Sequence, residues 1–351
     1  MKGTLLVTAM RNEGPFIVEW IAWQKMLGFE NILVMFNDCT DHSPQLLRQL
    51  QRHGVLTMKR HTPDPGEGPQ LSAFRAARSH PLVHRADWMF ICDVDEFLVI
   101  HKGDGTLSDL LPAGAPDFAG MAIHWLIFGD AGRETWEDGL VHQKFQRAAT
   151  EKTKQNSCFK SFVYQPTRFR RFGSHIPHNW QGDGVWNEGR NHWILSDGSR
   201  LARYNPDGAH QNGTVAKRIT HKVAQVNHYI LQEREKYALK QGTKCVVKLV
   251  DRYTDDFHRR FNHNTVRNPL ALTYKDRFDV EYARLMAIPG IRRLHHLCCA
   301  DFVAALCADQ GRDPADDARY RHHAHLGATL PKHWTVRARR RGASPAVRGT
   351  G

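Results

Sequence analysis

Over its first hundred residues the chain alternates short apolar runs with stretches of helical periodicity, and this alternation restricts the fold more than any other feature. Thr4–Met10 is the first apolar run. Pro15 then stands where a helix would begin. Phe16, Trp20, Trp23 and Leu27 follow at spacings of four, three and four, which places them on one face, and Gly28 closes the helix. Ile32–Phe36 is a second apolar strand, followed by the polar loop Asn37–Asp41, a helix with Leu46, Leu47 and Leu50 facing inward, and Gly54 as its stop. Val55–Met58 reads as a third strand, and a Pro- and Gly-rich loop at Thr62–Pro69 leads into a helix near Gln70–Ser79. Strands separated by helical crossovers predict a parallel α/β sheet.

Composition narrows the class. The 351 residues are 41% apolar and 10% aromatic with a net charge of +13, which excludes a disordered chain and a collagen. No stretch approaches the roughly 18 uninterrupted apolar residues of a spanning helix, and Thr4–Met10 runs at once into Arg11, Asn12 and Glu13, so neither a signal peptide nor an anchor is expected. Seven cysteines, an odd number in a chain this long, do not make a disulfide framework and favour a reducing, cytoplasmic compartment. Eight of the positive charges fall between Ala318 and Gly351, where there is no acid, so much of the basicity belongs to the tail.

The most informative segment is Trp88–Phe97. Five largely apolar residues, Trp88–Cys92, deliver the chain into Asp93, Asp95 and Glu96, and apolar Phe97–Ile100 follows immediately. In extended geometry Asp93 and Asp95 project from one face while Val94 packs on the other. Two carboxylates beyond the carboxyl end of a buried strand suit Mg²⁺ or Mn²⁺, which take oxygen ligands and leave positions for water and substrate phosphates. The bland alternative is a pair of solvated strand-end acids; the buried strand and the third acid favour a metal site.

These residues also carry a family resemblance. Arg11-Asn12-Glu13, Glu19-Trp20, Asn37–Asp41 and Asp93-Val94-Asp95-Glu96-Phe97 resemble a bacterial branch of the family 2 glycosyltransferases. Trp125 with Phe128-Gly129, Lys160-Ser161, His175 and Asn227-His228-Tyr229 fit the same branch. The resemblance covers roughly Thr4 to Gly242. It implies a GT-A fold, a Rossmann-like mixed α/β sheet with helices on both faces, followed by a helical C-terminal region. The expected divisions are a nucleotide-binding half (1–102), an acceptor half (103–242), a helical extension (243–310) and a basic, flexible tail (311–351). The implied activity is inverting transfer of a sugar from a nucleotide-diphosphate sugar, UDP-sugar first, to a glycan or lipid-linked acceptor hydroxyl. Carried over, Asp93, Asp95 and His228 hold Mn²⁺ or Mg²⁺. Arg11, Asn12, Glu13, Asn37, Asp38, Asp41, Asp93 and Lys160 line the donor site. The acceptor hydroxyl also needs a base: Asp130, just after Phe128-Gly129, is the first candidate, at a position where the related sequences more often carry a small polar residue, and Asp183 and Glu188 in the Gly-rich loop are the alternatives. His175, His178 and Lys222 are further candidates for phosphate contact, although a histidine or lysine is by default an ordinary packed or surface residue.

Other signals weigh less. No G-x-G-x-x-G or G-x-x-x-x-G-K-[ST] stands near the first strand, which removes dinucleotide and P-loop readings. A nucleotidyltransferase could use the same sheet and metal, and Arg337–Arg341 could bind nucleic acid, though Trp334 is its sole aromatic neighbour. Peripheral attachment of that run to the inner face of a membrane is the preferred functional reading. His295-His296-Leu297-Cys298-Cys299 and Cys307 offer soft ligands, but adjacent helical residues point about 100° apart and no C-x₂-C pair is present, so a packed helix is expected there rather than zinc.

Overall fold

The computed structural model describes residues 3–331 apart from 65, 210 and 242–251. Nine strands form one mixed sheet: β1 (Thr4–Met10), β2 (Asn31–Phe36), β3 (Thr57–Arg60), β4 (Trp88–Ile91), β5 (Glu96–Ile100), β6 (Gly120–Ile127), β7 (Phe159–Tyr164), β8 (Trp193–Leu195) and β9 (Ala224–His228). Their order is β3-β2-β1-β4-β7-β6-β9-β5, with β8 also pairing with β6. The first four strands are parallel, while β7 runs antiparallel to both β4 and β6. β9 then returns beside β5, with His228 opposite Glu96, so the two expected halves share one continuous sheet. The expected mixed α/β architecture with a helical C-terminal part is the one adopted.

Both faces are covered, because residues of β1 alternate between two cores. Leu6 packs with α1 (Ile17–Leu27) and α2 (Ser43–Arg52), while Leu5 and Val7 pack with Phe74 and Ala77 of α3 (Pro69–Arg78). The expected apolar stripe of α1 is buried throughout, and Gly28 ends the helix at φ 105°, a left-handed backbone that costs glycine nothing. The indole N–H groups of Trp20 and Trp23 donate to the carbonyls of Glu96 and Leu98 at 3.0 and 2.9 Å, pinning α1 to β5. Glu19, on the same helix, accepts the backbone N–H groups of Val141 and His142 and the His142 ring.

Two expectations change. Val55–Met58 is displaced by two residues, the strand running Thr57–Arg60. The segment after 311 is not wholly a loose tail: α7 (Ile291–Asp309) is packed by α8 (Ala318–Thr329). Arg319 of α8 forms ion pairs with Glu235 and Asp317, so this charge of the basic segment is opposed. Arg337–Arg341 and the expected boundary at 242–243 lie outside the described residues. Among the described residues no helix is long and apolar enough to cross a membrane.

Candidate active site

Parallel strands leave their carboxyl ends on one edge, and the loops after β1, β2 and β4 meet there. They line a cavity of about 1020 Å³, into which Arg11, Asn12, Glu13, Asp38, Asp41, Asp93 and Asp95 all face. His228 and His175 reach it from the other half of the sheet. Asn12 holds the first two loops together: its side-chain amide donates to Thr40 Oγ1 at 3.0 Å and its oxygen accepts the Thr40 N–H at 2.8 Å. Asp41 accepts from the hydroxyl and N–H of Ser43 at the start of α2, so much of its hydrogen-bonding capacity is structural.

The acidic segment is built differently from the extended pair expected. β4 ends at Ile91, and the Glu96 N–H donates to the Asp93 carbonyl at 3.1 Å, closing a turn across Val94 and Asp95. A turn, not strand alternation, presents both carboxylates to the cavity. Glu96 is fully buried, and its Oε2 accepts the Asp93 N–H at 2.8 Å. Lys160, also fully buried, lies 2.7 Å from Asp93 Oδ2 and 2.9 Å from Glu96 Oε2. It therefore supports the acidic turn from behind rather than lining the cavity. Gln70 donates to the other Asp93 oxygen at 2.6 Å.

Asp95 faces one imidazole and two lysines. His228 Nε2 is 3.5 Å from Oδ1 and Lys240 Nζ is 3.6 Å from Oδ2. Burial would raise the Asp95 carboxyl, but His228, Lys240 and Lys236 outweigh it and hold the acid well below the usual carboxylate range. The opposite balance governs Glu13, where burial raises the carboxyl against the pull of Lys236 and Lys240. Burial also lowers the Lys236 ammonium to about 8, against Glu13, and its Nζ sits 3.4 Å above the Phe16 ring. The His228 ring stacks edge-on to Trp125 with centroids 4.3 Å apart, which fixes it at the cavity wall.

The donors suit a hard divalent cation. Asp93 and Asp95 offer carboxylate oxygens and His228 adds an imidazole beside Asp95. Gln70 and Lys160 already engage both Asp93 oxygens, so Asp95 and His228 have the more open coordination.

Several expected residues fall elsewhere. Asp130 does not line the cavity: its carboxylate accepts from the side chains of Asn262 and Asn264 and from the Gly132 N–H, ordering the loop after β6. Asp183 and Glu188 lie in the 181–191 loop, whose backbone bonds to Asn191, and also lie outside the cavity lining, as do His178 and Lys222. Asn37 is buried and donates to Asp38 Oδ2 at 3.0 Å, so it acts on the cavity through its neighbour. Conversely, Gln70, Lys236, Lys240, Arg252, Arg260 and Asp301 line the cavity without having been singled out as donor-site residues. Lys236 and Lys240 stand four apart just after Asn227-His228-Tyr229, the spacing at which helical side chains share a face.

The family model for glycosyltransferase family 92 matches residues 7–270, which contain this whole acidic turn. The chain belongs to glycosyltransferase family 92. The resemblance read from the sequence is to family 2, so the activity class stands and the family assignment moves to 92. No curated protein matches the chain. Among solved structures it is similar to residues 1–349 of TarS from S. aureus, at 10% identity, 92% of this chain, 90% of that one and TM-score 0.32. The same protein in complex with UDP-GlcNAc gives 11%, 92%, 90% and 0.31. HddC from Yersinia pseudotuberculosis gives 7%, 55%, 90% and 0.30.

Proposed function

We propose that this glycosyltransferase binds a nucleotide-diphosphate sugar, UDP-sugar first, in the cavity at the end of β1, β2 and β4, and transfers the sugar with inversion to a glycan or lipid-linked hydroxyl. The observation that carries the reading is the setting of Asp95: an ionised carboxylate inside one cavity with Lys236, Lys240, Arg252 and Arg260. Those cations match the charge of a diphosphate, and the volume suits a ligand of nucleotide-sugar size. Asp95 and His228, with Asp93, would hold Mn²⁺ or Mg²⁺. When bound, such an ion stabilises the negative charge that develops on the departing diphosphate. Arg11 and Asn12 would border the nucleoside, because they close the end of β1 next to the Thr40 loop. A base for the acceptor must lie within about 2.6–3.2 Å of its hydroxyl, and the cavity carboxylates are the groups positioned for it. Burial keeps Glu13 more basic than an ordinary glutamate, which favours it among them.

The deciding experiment is calorimetry of UDP, GDP, CDP and ADP with and without Mn²⁺, followed by the Asp95→Ala variant. One Mn²⁺-dependent diphosphate is expected to bind, and Asp95→Ala is expected to lower sugar transfer by about 10²–10³-fold with its circular dichroism unchanged. Binding of none of the four, or an unimpaired variant, would overturn the reading. The basic run 337–341 is proposed as a peripheral contact with anionic membrane. Cosedimentation with phosphatidylserine vesicles should then be lost on truncation after residue 331.

A further inference from the structure

The cavity uses only one face of α7. Asp301, Phe302, Ala304 and Ala305 wall it, while His295 and Cys299 project from the helix elsewhere, one turn apart and both buried. Asp138, on the exposed loop after β6, brings its Oδ2 to 3.2 Å from His295 Nε2. Cys299 Sγ lies 3.6 Å from the same nitrogen. From α8, His323 brings its Nδ1 to 3.0 Å from His296 Nδ1. Two donor groups result, Asp138–His295–His296 and Asp138–Cys299–His323. Within each, all ligand atoms lie within 4.8 Å of one another, and Asp138 is common to both.

Two of these separations, Asp138–His295 and His295–Cys299, have the size that a tetrahedral ion imposes. With metal–nitrogen bonds of about 2.0–2.1 Å and a metal–sulfur bond of about 2.3 Å, neighbouring N and O ligands stand about 3.3 Å apart and neighbouring N and S ligands about 3.6 Å. The His296–His323 contact is an N–H···N hydrogen bond that fixes both rings, and His295 Nδ1, buried, has no hydrogen-bond partner. Thiol, imidazole and a single carboxylate select a borderline ion rather than Mn²⁺ or Mg²⁺.

We propose that Asp138, His295, Cys299 and His323 supply the four ligands of one structural Zn²⁺, which ties α7 and α8 to the loop after β6, with His296 orienting the His323 ring. Asp138, the exposed member, gives the ion its route in. Binding replaces the Cys299 S–H bond with an S–Zn bond and releases that proton to solvent, so affinity rises with pH. The site is independent of the proposed donor chemistry, and its role is to hold the helix that walls the cavity.

The test uses the full chain, freed of metal by a chelator and titrated with Co²⁺ as an optical probe, with Zn²⁺ as competitor. One equivalent of Co²⁺ should give the intense visible bands of a tetrahedral site and a near-ultraviolet thiolate charge-transfer band, and Zn²⁺ should abolish both while raising the melting temperature. Cys299→Ser should lose the charge-transfer band. Asp138→Asn, a substitution at an exposed position that leaves the helices intact, should weaken binding by at least about tenfold. Asp95→Ala should change neither band. Absence of the tetrahedral bands in the folded protein, or bands unaltered in both Cys299→Ser and Asp138→Asn, would overturn the proposal.

Discussion

Two clusters of acids and imidazoles flank α7, and they neutralise charge in opposite ways. Around the cavity, Asp93, Asp95 and Glu96 are balanced by the amines of Lys160 and Lys240 together with His228. Around Asp138, among the described residues, the donors are the rings of His295, His296 and His323 and the Cys299 thiol, with no amine ion pair. Amines stay protonated and fix a charge pattern to which a phosphorylated ligand can bind. Imidazoles and a thiol offer softer lone pairs and suit an ion that stays. Similar residue types thus make a substrate-facing cavity on one side and a structural clamp on the other.

The largest effect should come from removing the amine that balances the first cluster. Lys160→Met leaves Glu96 and Asp93 without their buried partner and should cost about 3–5 kcal/mol in denaturant unfolding. An unchanged midpoint would show that the two clusters do not differ in this way.

A smaller effect should appear against pH. Burial outweighs Lys160 and raises Glu96 from its usual 4.5 to about 7. The folded state therefore holds this proton more tightly than the unfolded one, so the stability it contributes is present below about 4.5 and lost as pH rises through 7. Glu96→Gln should remove that slope from the unfolding free energy between those limits, and an identical slope in the variant would assign it elsewhere.

The smallest effect concerns the second cluster. Arg319 anchors α8, the helix that carries His323, to Glu235 and Asp317. Arg319→Ala should cost about 1–2 kcal/mol, read by chemical denaturation, since part of the network is solvent-screened. It should also weaken Co²⁺ binding at Asp138, whereas nucleotide binding should not depend on it.

The same contrast explains what the sequence made legible. Alternating apolar runs foretold β1, β2, β4 and the helices between them, because local periodicity encodes which face is buried. The acids at Asp93 and Asp95 stood out because one strand delivers both. Lys160 could be named for charge, but its place behind the turn depends on β7 pairing with β4, a contact that no linear spacing encodes. Asp130 stood out as a base because it comes just after Phe128-Gly129; only the fold shows its oxygens committed to Asn262 and Asn264. The Asp138 cluster draws on three segments, and the informative spacing in it was His295 with Cys299, four apart, rather than the adjacent pairs His295-His296 and Cys298-Cys299.

Gly14 follows the first strand, and a Cβ placed there would meet Cys298 Cβ at 2.4 Å. The earliest loop of the chain is therefore shaped to receive one of its last helices. At about 5–20 residues per second, a ribosome takes some tens of seconds to make the intervening chain. During that time Gly14–Phe16 and α2 emerge without the α7 surface that packs on them, Phe302 included. The end of the sheet that lines the cavity thus stays uncovered in a nascent molecule until Cys298 and the helix around it have been made.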